Sequence, residues 1–453
     1  MKIDIFVNAT ELKAAFSLAI IYVLRMLGLF MVMPVLAILT VDYSGFSAWH
    51  VGLAIGGYGL TQAILQIPFG MLSDKLGRKP VIVLGLMLFA VGSLIAGVAE
   101  DMTTLIIGRV LQGAGAIAGA VMALAADVTR EEHRTKVMAI IGIAIGCSFY
   151  LALLLGPILA DDYGLSGLFL ITAALSVFGI ALVVFVVPSA VNIAPSAETL
   201  PRKDFVLGLL RHKELSLLNI SVCLLHLFIT ILFIQIPTLL TDLGVGLEAQ
   251  WTVYLPVLLA SIIGLIVLMG AARKQAKAVM SVSIVMMISC FAGLALFDGA
   301  LSLYSLCALI LVFFIGFNYL EANTPALVSS IAPAGKKGTA MGIYASFQFF
   351  GAFLGGMISG LMTSSFSINA LYTVCIGLGI VWLILILSLH SQPRVKRVTL
   401  TINLQNKTVA ELATSLGALA GVKDITIVAA EQAAYLKVDA KTFEIAKARA
   451  VIQ

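Results

Sequence analysis

Apolar residues arrive along this chain in long blocks, not in the short alternations of a soluble fold. Up to His390 they make twelve runs, at about 14–40, 49–72, 80–99, 103–126, 136–160, 165–187, 215–240, 250–270, 278–297, 301–328, 339–363 and 369–390. About 20 apolar residues in a helix cross the hydrocarbon core of a bilayer, so each run predicts one crossing. After Pro393 the pattern changes. Lys396 to Ile402 alternates like a strand, Thr408 to Leu419 has helical spacing, Val422 to Ala429 and Ala433 to Asp439 read as paired strands, and Lys441 to Ile452 reads as a helix. That βαββα order predicts a small ferredoxin-like α+β domain without its last strand, attached to an all-α polytopic membrane protein.

The turns between runs alternate in charge. One set carries Lys75, Arg78 and Lys79, then Arg130, Arg134 and Lys136, then Arg202, Lys203, Arg211 and Lys213, then Arg273, Lys274 and Lys277, and last Lys336 and Lys337. The other set holds acids without bases, such as Asp42, Glu100, Asp101, Asp161, Asp162, Asp242, Glu248 and Asp298. By the positive-inside rule the basic turns and both termini are predicted to be cytoplasmic, in a plasma membrane of the bacterial inner-membrane kind. The first run is too long for the apolar part of a signal peptide, contains Arg25 and Pro34 and lacks a small-residue cleavage site, so it reads as a retained helix.

The longest turn divides the membrane part into halves that resemble each other. Leu29-Phe30-Met31-Val32-Met33-Pro34-Val35-Leu36 parallels Leu232-Phe233-Ile234-Gln235-Ile236-Pro237-Thr238-Leu239, and Trp49-x-Val51-x-Leu53 parallels Trp251-x-Val253-x-Leu255. The expected organisation is a six-helix bundle over 1–190, a cytoplasmic linker over 191–214, a second six-helix bundle over 215–392 and the ferredoxin-like domain over 393–453. Such repeats are the plan on which secondary transporters place a site between halves.

Composition agrees: 61% of residues are hydrophobic and 11% charged, against roughly a quarter charged in soluble domains. The five cysteines all fall inside runs without C-x-x-C spacing, which reads as packing and not as disulfides or a metal site. No phosphate-binding loop, H-E-x-x-H or G-x-S-x-G pattern is present, so no cofactor and no enzymatic chemistry is called for, and an ion gradient is the expected energy source. The tail carries nine basic and five acidic residues from Arg394 onward. With anionic lipid beside it, that excess does not imply nucleic acid. A ligand, self-association, contact with the cytoplasmic loops and a passive cap all remain open for the tail.

Between the second and third runs, Gly70-Met71-Leu72-Ser73-Asp74-Lys75-Leu76-Gly77-Arg78-Lys79-Pro80 matches the loop pattern Gly-x3-Asp-(Arg/Lys)-x-Gly-Arg-(Arg/Lys). This motif, together with Gly108-Arg109-Val110-Leu111-Gln112-Gly113 in the fourth run and Arg25-Met26-Leu27-Gly28 in the first, resembles the major facilitator superfamily, in its drug/proton antiporter branch. The resemblance implies alternating access, with Gly70, Asp74, Gly77, Arg78, Lys79 and Asp127 as a conformational switch. It implies that Asp74 meets the start of the eleventh helix near Gly338, and that Arg78 pairs with Asp127. The branch's fifth-helix pattern is incomplete. Gly156-Pro157 is present, but Ala152 and Ala160-Asp161 replace other glycines, so this pair reads equally as helix packing.

Ionisable residues inside membrane runs are costly and mark function by default. Arg25, Arg109, His226 and Glu321 are therefore the candidates for proton or substrate coupling. Desolvation makes a carboxylate hold its proton more tightly, which suits Glu321 to loading and unloading. A hydrated gate is its alternative role; the alternatives are helix-to-helix hydrogen bonding for His226, helix packing for Arg25 and hydrogen bonding to helix-end carbonyls for Arg109. The expected function is proton-coupled efflux of small amphipathic or drug-like molecules. Uptake by proton symport and a transporter-like sensor with the tail as output are the other readings.

Overall fold

The computed structural model describes residues 9–129, 131–188, 203–297, 300–333, 336–389, 396–402, 408–429, 432–439 and 442–452. Much of the expected linker, 191–202, lies outside them.

The chain folds into α1 (Ala9–Phe30), α2 (Met33–Leu39), α3 (Ala48–Leu76), α4 (Arg78–Gly97), α5 (Met102–Ala114), α6 (Ala118–Asp127), α7 (Glu131–Ala181), α8 (Lys203–Leu210), α9 (Lys213–Asp242), α10 (Trp251–Leu296), α11 (Leu303–Ile331), α12 (Lys337–Ser365) and α13 (Ile368–Leu387). Nine stretches among the described residues are long and apolar enough to cross a membrane. Two of them run to 51 and 50 residues, far more than one crossing of about 30 Å needs at 1.5 Å per residue. They turn back at Gly164, whose φ is +65°, and near Gln275, where helical geometry is lost. Each therefore crosses twice. With α3, which is 29 residues long, the described residues make the twelve crossings expected from the apolar runs.

Two crossings are broken. The first is split into α1 and α2 just ahead of Pro34, and the fourth into α5 and α6 at Gly115–Ile117. Helix starts on the face opposite the basic turns are capped by side chains. Ser47 accepts from His50, Asp101 from Thr104, Ser302 from Ser305 and Ser367 from Ala370, each satisfying an amide that no helical partner reaches. The Thr104 hydroxyl and backbone N–H hold the Asp101 carboxyl below the usual carboxylate range.

The repeat is visible in its fastenings. Lys79 at the start of α4 donates to the Val187 carbonyl, closing the sixth crossing at 2.7 Å. Lys277, at the corresponding start of the ninth crossing, donates to the Leu387 carbonyl closing the twelfth, at 2.5 Å. In both halves a lysine answers the unpaired carbonyls and negative dipole of a helix end. Outward-facing apolar side chains, such as Phe185, Ile263 and Tyr304, are 82%, 68% and 88% exposed, as suits a surface whose solvent is lipid.

The halves meet along α3 and α12. A Cβ on Gly52 would strike the Gly356 carbonyl, one on Gly56 would lie 2.9 Å from the Phe353 carbonyl oxygen, and one on Gly59 would lie 2.7 Å from that of Phe349. Gly360 lies as closely on Ala48. The glycines of α12 serve two faces, since Gly351 and Gly355 press instead on Cys223 and Leu227 of α9. All the α3 contacts lie in the part of the bundle away from the basic turns. Toward the basic turns, Gly142 and Gly146 of α7 have no neighbour within 4 Å of a would-be Cβ. The close contacts that these glycines make between the halves are thus gathered at one end of the bundle.

The tail forms β1 (Lys396–Thr401), α14 (Val409–Gly417), β2 (Val422–Val428), β3 (Ala433–Val438) and α15 (Ile445–Ile452). The sheet order is β1-β3-β2, antiparallel throughout, the ferredoxin-like arrangement. Leu400, Leu412, Leu416, Leu436 and Ala448 form its own core. Thr408 and Glu411 cap α14 reciprocally, and the Thr408 backbone N–H and hydroxyl hold the Glu411 carboxyl below its usual range. Lys437 of β3 reaches out of the domain and donates to the Ile331 carbonyl at the end of α11, at 2.6 Å.

Gly52→Val should force α3 and α12 apart. The distance between spin labels at Ser44 and Phe366, measured by pulsed electron resonance, is expected to lengthen; an unchanged distance would show that this contact does not seal the end.

Candidate functional site

The turn between α3 and α4 is sharp because Gly77 adopts φ +91°, a conformation that costs glycine little. It brings Arg78 inward, where its side chain is 8% exposed. The guanidinium donates from Nε to Asp127 Oδ2 at 2.9 Å, and from Nη1 to Asp74 Oδ1 at 3.3 Å and Ser73 Oγ at 3.4 Å. Asp127 is 3% exposed, whereas Asp74 is 50% exposed. Of the residues expected to act as a switch, Arg78 and Asp127 form the buried ion pair, Asp74 joins it from the surface, Gly77 makes the turn, the Gly70 carbonyl accepts from Ser73, and Lys79 bonds the Val187 carbonyl instead. Among the described residues Asp74 bonds Arg78 and not the start of α12, so the Asp74–Gly338 contact implied by the resemblance is not formed.

Arg25 and Arg109 are both buried, at 2% and 1% exposure, and neither has a carboxylate partner among the described residues. Arg25 donates from Nη2 to Gln62 Oε1 at 2.6 Å, to the Gly115 carbonyl at 3.0 Å and to the Tyr58 hydroxyl at 3.1 Å. The Gly115 carbonyl is available because the fourth crossing is broken there. Arg109 donates to the Ala54 carbonyl at 3.2 Å and to Gln112 at 2.8 Å, and its guanidinium lies 5.0 Å from the Tyr58 ring centre. Gln112 passes the chain on to Ser93 at 2.7 Å. Dipoles and a ring face, which a membrane interior tolerates, replace counter-charges here.

In the second half the structure brings His226 and Glu321 together. Nε2 of His226 stands 3.8 Å from Oε2 of Glu321, and Gln348 of α12 joins them, its amide nitrogen 2.7 Å from His226 Nε2 and 3.3 Å from Glu321 Oε1. His226 Nδ1 lies 3.2 Å from the Val222 carbonyl. That carbonyl only accepts, so Nδ1 carries the ring proton and Nε2 is free to accept from Gln348. Oε2 of Glu321 is buried without a hydrogen-bond partner, although the side chain as a whole is 38% exposed. The carboxylate thus stands at the edge of open space.

Aromatic rings pack together beside it. Phe149 of α7, from the first half, packs 5.1 Å from Phe30 and 5.6 Å from Phe233, and stacks on Phe317 at 6.3 Å. Phe317 in turn lies 6.2 Å from the His226 ring. Gly156 lets α7 lie against α1, since a Cβ there would come 2.5 Å from the Met31 carbonyl oxygen, and Pro157 is buried beside it.

Gln348, Gln62, Gln112, Tyr58 and Ser93 complete these networks, although none carries a charge that would single it out in the sequence. The available signal was an amide isolated in an apolar run, as at Phe347-Gln348-Phe349.

The family model described as Major Facilitator Superfamily matches residues 18–356 and 276–429. The chain is 38% identical over 445 residues to the inner membrane transport protein YajR of Escherichia coli, covering 97% of both chains. It is 32% identical over 152 residues to the class H tetracycline resistance protein of Pasteurella multocida, covering 33% of this chain and 38% of that one. Among solved structures it superposes on a point mutant of the nucleoside transporter NupG with a TM-score of 0.66 at 15% identity, covering 83% of this chain and all of that one.

Asp127→Ala would leave the buried Arg78 with only the exposed Asp74 as a charged partner and should cost on the order of 3 kcal/mol. Asp74→Asn should cost under about 1 kcal/mol. Thermal unfolding of the purified protein is expected to rank them in that order, and equal losses would count against the burial argument.

Proposed function

Because the chain belongs to the major facilitator superfamily and is a membrane transporter, not an enzyme, we propose that it exports small amphipathic or drug-like molecules in exchange for protons, by alternating access. The observation that carries this reading is the His226–Gln348–Glu321 cluster. A carboxylate oxygen without a hydrogen-bond partner faces an imidazole nitrogen across 3.8 Å, in the half of the bundle that also contributes most of the aromatic cluster. One proton placed between these atoms makes a charge-assisted hydrogen bond where two acceptors now face each other. The rings supply an adaptable apolar surface for the cargo. Each charge carried down the membrane potential contributes about 2.3 kcal/mol per 100 mV. Efflux is the direction suggested by the class H resistance relative.

With the basic turns cytoplasmic, the end away from the α3–α12 glycine contacts opens to the cytoplasm. When that end closes, Asp74 meets the start of α12 near Gly338, where the helix dipole favours a negative charge. Arg78 and Asp127 hold the loop in shape for that meeting. Arg25 and Arg109 set the potential felt by a proton across the interface.

A second reading, in which the tail regulates or reports the state of the transporter, is favoured by one contact. Lys437 grips the end of α11, the helix that carries Glu321.

In proteoliposomes holding a pH indicator, substrate is expected to move protons opposite to its own flux. Movement in the same direction would instead make the protein an uptake symporter. Glu321→Gln should reduce proton movement at least tenfold, and retention of coupling would remove Glu321 from the mechanism. Lys437→Met should raise hydrogen exchange in the last turn of α11 and alter the transport rate; no change in either would make the tail a passive cap.

A further inference from the structure

Gln348 occupies a place that the transport cycle must empty. Its amide group has two N–H bonds, and the two acceptors it reaches belong to different helices, His226 to α9 and Glu321 to α11. Since His226 keeps its proton on Nδ1, this arrangement exists only while Nε2 keeps its lone pair for the amide. A proton arriving from water on Nε2 would point N–H at N–H across 2.7 Å, which is repulsive. A proton arriving on Glu321 can donate to Nε2 only if the amide withdraws from that lone pair. A proton held between His226 and Glu321 therefore takes the lone pair that the Gln348 N–H occupies, and the amide must turn or withdraw.

The next residue connects this event to the seal between the halves. The Phe349 carbonyl lies against Gly59 of α3, and its ring sits 6.4 Å from that of Tyr58. The Tyr58 hydroxyl accepts from Arg25, and its ring lies beside Arg109. Gln348 and Phe349 are thus one short segment of α12 touching the candidate proton site on one side and the arginine network on the other.

We infer that Gln348 is a positioning residue that holds the unloaded His226–Glu321 pair and, when displaced by a proton, loosens the α12–α3 contact that keeps the far end of the transporter closed. This rests on the reading of His226 and Glu321 as the proton site. The other titratable and charged groups facing the segment are Tyr344 of α12, Tyr150 of α7, Tyr58 of α3, Arg25 of α1 and Arg109 of α5. Their ordinary ranges lie well above neutral pH.

The test needs no substrate. The full-length protein, spin-labelled at Ser44 and Phe366, is titrated from pH 5 to pH 9, and the fraction with a widened distance is recorded. The wild type is expected to open as pH falls. Gln348→Met keeps the volume of the side chain but removes both N–H groups from the unloaded state. Proton affinity should rise about tenfold, moving the midpoint about one unit to higher pH. Gln348→Asn, whose shorter amide reaches one acceptor at most, should fall between the two. In a Glu321→Gln background the profile should flatten, and Gln348→Met should add nothing. If Glu321→Gln leaves the wild-type profile intact, the proton site itself is misassigned. If Glu321→Gln flattens the profile but Gln348→Met leaves the midpoint in place, the role of Gln348 is overturned while the site stands. A molecule that is open at every pH after Gln348→Met, with unchanged thermal unfolding, would show that Gln348 serves packing alone.

Discussion

The backbone-to-backbone contact of α3 and α12 is the constraint on which the rest of the bundle depends. Gly52, Gly56 and Gly59 on one helix and Gly356 and Gly360 on the other bring carbonyl oxygens to distances that a methyl group would block. Such contacts gain from dispersion and from weak Cα–H donors to carbonyls, without tying side chains into fixed pairs. A seal of this kind closes firmly and parts without leaving buried charges behind. An ionic seal in the same place would bring a desolvation penalty each time it formed.

Charge is distributed accordingly. The first half buries two guanidiniums among amides, carbonyls and ring faces, while the second half holds a carboxylate and an imidazole. Neither set crosses the seam directly. The crossing is made by Tyr58 and Phe349, which carry little charge and can slide, and by Phe149 reaching from α7 into the rings of the second half. Electrostatic influence therefore passes between halves through low-dielectric space, where it falls off slowly.

Much of this was legible in the chain. Alternating basic and acidic turns place the crossings, and the recurrence of Pro34 as Pro237 and of Trp49 as Trp251 marks the repeat. The tail's strand and helix boundaries can be read to within a few residues because its alternation changes so sharply after Pro393. The candidate site was half legible. His226 and Glu321 stand out as charges in apolar runs, but their meeting depends on how α9 and α11 rotate, which no local pattern encodes. Gln348 was overlooked because an uncharged amide in a membrane helix resembles packing until its partners are known. The glycines of α12 divide between two faces, Gly356 and Gly360 on α3 and Gly351 and Gly355 on α9, a division set by tertiary packing.

The paired fastenings of Lys79 on Val187 and Lys277 on Leu387 show what an ancestral duplication preserved. Both halves keep the same pin, which joins their third and sixth crossings into one stiff frame. The ionic cluster of Arg78, Asp74 and Asp127 occurs only in the first copy, for in the second the matching turn offers Arg273 and Lys274 without an acid beside them in sequence. The two halves thus share a mechanical part, whereas their buried charges differ, an ion pair beside a turn in one and a carboxylate beside an imidazole in the other. A transporter built this way can change those charges, and with them the ion or cargo it answers to, without rebuilding the frame that moves.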